Sequence, residues 1–134
     1  MTIALRVLLA TSALISFVVG GWAQFWPEGF YTGFPTVDLT PPYSEHLLRD
    51  FGGATLGLAV VQVAALIWPQ KRLVIVAALA SLVFAAPHAA FHFLHLEHAT
   101  AARSALLVFQ MVASVALPVL IILLAALPVM RQSD

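Results

Sequence analysis

The chain has 134 residues, of which 62% are hydrophobic and only 9% charged, with a mean hydropathy of +1.00 and six Lys and Arg balanced by six Asp and Glu. So little polar surface cannot coat a soluble globule of this size, which makes the chain an integral membrane protein. Its zero formal charge and scattered bases offer no nucleic-acid surface, and the absence of cysteine excludes disulfides, thiolate ligands and thiol nucleophiles, so any metal would fall to His, Asp and Glu.

Four apolar stretches approach the roughly 20 residues that a membrane-crossing helix needs. They run over residues 5–23, 47–68, 73–94 and 104–127. The fold class that follows is all-α, a four-transmembrane-helix bundle forming a single membrane domain over residues 1–134. In the first span, Arg6 before an apolar run that ends at Gly21-Trp22-Ala23 loosely resembles a signal peptide, but the run is long for such a segment, and we read it as a membrane helix. A long outer loop over residues 24–46, rich in Gly, Pro and aromatics, then leads to the second span.

The second span opens on a polar group, Glu45-His46-Leu47-Leu48-Arg49-Asp50. At about 100° per residue, His46, Asp50, Gly53 and Gly57 share one face, and Gly53-x-x-x-Gly57 would let another helix approach it closely. That face is expected to meet protein, with Arg49 engaging Asp50, Glu45 or a carboxylate of the outer loop. Arg49 and Asp50 would then hold the loop against the bundle, and Asp50 would matter more to stability than Arg103. Only Pro69-Gln70-Lys71-Arg72 separates the second span from the third, which forces an antiparallel hairpin.

The third span carries the most informative segment, Pro87-His88-Ala89-Ala90-Phe91-His92-Phe93-Leu94-His95-Leu96-Glu97-His98, with four of the five histidines. On a helix, His88, His92 and His95 fall within about 60° of one another, so three imidazoles aim the same way. Glu97 and His98 point elsewhere. Pro87 removes a backbone hydrogen bond one turn below the first histidine, and Pro118 does the same in the fourth span, where Gln110, Ser114 and Pro118 recur at four-residue spacing.

Orientation follows the bases of the short connections. Arg6, Lys71, Arg72 and Arg131 fall on one side of a four-span chain, which makes that side and both termini cytoplasmic. The outer loop and every histidine then lie on the extracytoplasmic side of the plasma membrane. Trp22, Trp26 and Trp68 fit interfacial aromatic belts.

The segments Phe25-Trp26-Pro27-x-x-Phe30-Tyr31-x-x-Phe34-Pro35, Pro42-Tyr43-x-Glu45-His46-Leu47-x-Arg49-Asp50-x-Gly52 and Pro87-His88-x-x-x-His92-x-x-His95-Leu96 resemble a family of small four-helix bacterial membrane proteins of unassigned function, over about half the chain. A looser similarity is to DoxX-like four-helix proteins. Both resemblances imply the four-helix fold and direct attention to these polar residues; neither implies a reaction.

Three function classes compete for the histidines. One is a His/Asp-rich site at the outer ends of the second and third spans, with His88, His92, His95, His46 and Asp50 holding one divalent metal ion such as Zn, Cu or Fe, or another small ligand. The second is an accessory or structural subunit of a larger membrane complex or homo-oligomer, in which the imidazoles form a hydrogen-bond network with Glu45, Arg49, Glu97 and His98. The third is an enzyme or a bis-histidine haem protein with His46 opposite His88 or His92. The enzyme reading is the weakest, because five histidines are too few for a membrane di-iron centre and no G-x-S-x-G elbow or phosphate-binding glycine loop occurs.

Overall fold

A computed structural model describes residues 1–39, 42–96 and 99–127. Five α-helices and one 3-10 turn follow in order: α1 (Ile3–Phe25), α2 (Pro27–Gly33), the turn Val37–Leu39, α3 (Glu45–Ile67), α4 (Lys71–Phe93) and α5 (Ala101–Ala126). The four long helices match the four apolar stretches, each boundary lying within three residues of the sequence reading. All four are long and apolar enough to cross a membrane, and only 22–28% of each span is buried inside the bundle. The outward faces are therefore apolar and require lipid, as in a multi-pass membrane protein.

Helix starts are set locally. Thr2, Ser44 and Thr100 accept hydrogen bonds from the backbone N–H of Leu5, Leu47 and Arg103 and cap α1, α3 and α5. The segment between α1 and α3 is not loop throughout: Pro27 at the first helical position and Glu28 in the first turn start α2, which ends at Gly33. Both α4 and α5 run on through their internal prolines, Pro87 and Pro118.

The long helices form a ring in which α1 packs chiefly on α3 and α4 on α5, with α3–α4 and α5–α1 contacts closing it. At the end where α3 turns into α4, Leu5, Leu9, Ala65, Val74, Ala77, Ala78, Ile121 and Ala125 make one apolar cluster, which places the start of α1 and the end of α5 there too. The opposite end holds α2, the 3-10 turn and a smaller cluster of Ala89, Leu107 and Met111, joined by Leu39.

Helices α1 and α3 approach each other closely at Gly20 and Gly52. A Cβ added at Gly52 would stand 2.5 Å from the Gln24 nitrogen and 2.8 Å from the Gly20 carbonyl oxygen; one at Gly20 would stand 2.9 Å from the Leu56 nitrogen. Backbone lies on backbone there. This corrects the sequence reading, which placed the close contact at Gly53 and Gly57: both are exposed, and a Cβ at Gly57 would meet nothing within 4 Å. Gly52 is one residue, about 100°, around the helix from the expected face, and that rotation turns the expected face outward.

Candidate functional site

The α4 histidines sit in a continuous set of aromatic rings. His88 stacks on Phe84, with centroids 5.5 Å apart, and on Phe51 of α3 at 6.4 Å. His92 stands edge-on to His88 at 4.7 Å. It is only 8% exposed, and its Nδ1 has no hydrogen-bond partner among the described residues. One turn on, the exposed His95 stacks on Phe91 at 4.1 Å and its Nδ1–H donates to the Phe91 carbonyl at 2.7 Å, which fixes the tautomer and leaves Nε2 as its open nitrogen. The stripe thus resolves into an inner pair, His88 and His92, and an outer His95 tied to its own helix. Glu97 and His98, expected in a polar network, lie outside the described residues.

The α3 polar group does not join that pair. The His46 side chain is 89% exposed and its Nε2 meets Asp50 of the same helix at 3.3 Å; Asp50 is itself 65% exposed. Among the described residues no three His, Asp or Glu side chains gather where a metal ion could be held. The five-residue convergence read from the sequence, with His46 and Asp50 facing His88, His92 and His95, is therefore not formed. His46 is turned outward, so it does not stand opposite His88 or His92 as a bis-histidine haem would need. The cause is the same rotation of α3: burying Gly52 against α1 carries the face of His46 and Asp50 away from the core.

Arg49 engages Glu45, one of the partners expected for it, and not Asp50, and among the described residues its hydrogen bonds do not reach the segment between α1 and α3. Its Nε and Nη2 meet Glu45 Oε1 at 2.9 and 2.8 Å, and Nη1 donates to the Gln24 carbonyl at 2.6 Å, tying the start of α3 to the end of α1. The segment after α2 is held by other groups. Arg103 of α5 pairs with Asp38 in the 3-10 turn, and the buried Thr36 hydroxyl donates to Gln110 Oε1 at 2.8 Å. Thr36 has φ of 77°, a conformation that a β-branched residue adopts only when its surroundings hold it there, and the Gln110 bond supplies such a hold. Asp50 has no part in this, and Arg103, which the sequence reading ranked below it, is the residue that ties this segment to α5.

Two interactions escaped the sequence reading. Gln62 is 1% exposed, and its amide donates to Ser81 Oγ at 2.8 Å across the α3–α4 contact, while Ser81 donates to the Ala77 carbonyl at 3.0 Å. A single Gln in an apolar span was the available signal, because a buried amide needs a partner. The rings of Phe30, Phe51 and Phe84, which connect α2, α3 and α4, carried no pattern along the chain that set them apart from ordinary apolar residues. No family model, curated protein or solved structure matches the chain.

Proposed function

We propose that this multi-pass membrane protein binds a transition-metal ion through the imidazole pair His88 and His92. The observation that carries the reading is His92 Nδ1: a buried ring nitrogen, without a partner among the described residues, beside a second imidazole one turn away. Two histidines at i and i+4 on one helix face are a recurrent way to present nitrogens to one metal, and neutral imidazole suits Zn, Cu and Fe. Two protein nitrogens leave further coordination positions to small molecules, so the centre would be an open one that binds and exchanges ligands. His46 and Asp50 are not part of it.

The test is zinc and copper titration of the untagged protein in detergent. Wild type is expected to take up one metal per chain, the His88→Ala/His92→Ala variant none, and His46→Ala/Asp50→Ala as much as wild type. Equal uptake by wild type and the His88/His92 variant removes the reading.

We further propose the orientation that the bases favour, with Arg6, Lys71 and Arg72 on the cytoplasmic side of the plasma membrane and α2 and the imidazole pair outside. Because the chain has no cysteine, single cysteines at the exposed positions Thr32 and Gln70 report sidedness to a membrane-impermeant maleimide. Labelling of whole cells at position 70 and not at 32 would invert it.

A further inference from the structure

Where the end of α1, α2 and the start of α3 meet, the chain forms a cleft of about 490 Å³. It is walled by Phe25, Trp26 and Tyr43 and carries the carboxylates of Glu28 and Glu45 and the guanidinium of Arg49; no histidine lines it. The aromatic walls are open, Trp26 being 71% and Phe25 64% exposed. The Tyr43 ring is braced edge-on by Tyr31 with centroids 5.4 Å apart. All of this lies at the ends of helices long and apolar enough to cross a membrane.

The charge in the cleft decides what it can take. Arg49 is occupied, with Nε and Nη2 on Glu45 and Nη1 on the Gln24 carbonyl, so it is not poised for an anion. Among the described residues no base pairs with Glu28, and two carboxylates against one guanidinium leave a surplus of negative charge. The Tyr43 phenol is held above its ordinary pKa first by loss of water around it and then by the charges of Glu45 and Glu28, Arg49 opposing. Aromatic faces attract cations through their quadrupole, and most strongly those cations that are weakly hydrated.

We propose that this cleft binds a quaternary ammonium group, carried either by a lipid head group or by a free solute. The aromatic walls supply cation–π contact and Glu28 the opposing charge, a pairing that needs no hydrogen-bond donor on the ligand. The site is independent of the imidazole pair.

Calorimetric titration of the protein in an uncharged maltoside detergent with tetramethylammonium chloride, against sodium chloride at equal ionic strength, tests it. Saturable uptake is expected for wild type, weakened at least tenfold in Glu28→Gln and in Trp26→Leu. Both side chains are exposed, so each variant should still melt cooperatively, with no more than the small loss that the missing Glu28 charge at the start of α2 brings, and a melt of each variant checks this. Absence of saturation, or equal affinity in wild type and both variants, overturns the proposal. Nanodiscs then separate the sources, both of which uphold it: loss of tetramethylammonium uptake in phosphatidylcholine discs but not in phosphatidylglycerol discs assigns the lipid head group, whereas equal uptake in both assigns a free solute.

Discussion

Helix α3 has two long seams, and they are built in opposite ways. Against α1, from which some twenty residues of chain separate it, backbone lies on backbone because Gly20 and Gly52 carry no side chain. Against α4, which follows after three residues, the contact runs through side chains, with Gln62 bonded to Ser81 and Phe51 against Phe84 and His88. A short connection fixes which helices are antiparallel neighbours, but the size of the groups at the contact fixes how close they come. The looser seam has room for imidazole rings, and that is where the candidate metal site lies.

Gly52→Ala strikes the tight seam and should have the largest effect. Its Cβ has only backbone atoms to displace, so α1 and α3 must separate, at a cost of about 3 kcal/mol. The control is Gly57→Ala, whose new methyl meets nothing within 4 Å and which should be neutral or gain up to about 1 kcal/mol of helix propensity. Equal melting temperatures for the two variants in detergent would mean that the glycine contact does not hold α1 to α3.

On the looser seam, Ser81→Ala leaves the buried Gln62 amide without its acceptor and should cost about 1–2 kcal/mol. Changing both partners, as Gln62→Leu/Ser81→Ala, removes the polar atoms together, including the Gln62 Oε1 that has no partner among the described residues, and should return stability to within about 1 kcal/mol of wild type. A double variant less stable than Ser81→Ala would show that the amide contributes more than its hydrogen bond.

The smallest effects belong to the surface pairs. Arg103→Ala frees the 3-10 turn from α5, and because both partners are partly exposed the loss should be no more than about 1 kcal/mol. Asp50→Ala breaks only a solvated i,i+4 contact and should cost at most about 0.5 kcal/mol. Thermal melts in which Asp50→Ala is the more damaging variant would return Asp50 to the bundle interior and reinstate the convergent site.

Much of the candidate site was visible along the chain, because three histidines at helical spacing in an apolar span share a face in any α-helix. The aromatic rings against which His88 rests were not, since Phe51 and Phe84 look like lipid-facing residues until their helices are placed side by side. Arg49 pairs with Glu45 as i,i+4 spacing suggests, whereas the Gln24 carbonyl that completes its shell becomes a neighbour only on folding.

What the sequence determined by itself is what depends on distances along the chain: four spans, set by the length of apolar runs against the thickness of a bilayer, and the imidazole stripe, set by the 3.6-residue turn. What only the tertiary structure decided is the rotation of each helix about its own axis. In lipid, an apolar face and a core face look alike in composition, so hydropathy cannot choose between them. The choice fell to Gly52 over Gly53, where a missing Cβ let α1 and α3 touch, and that step of one residue turned His46 and Asp50 outward and left His88 and His92 as the pair.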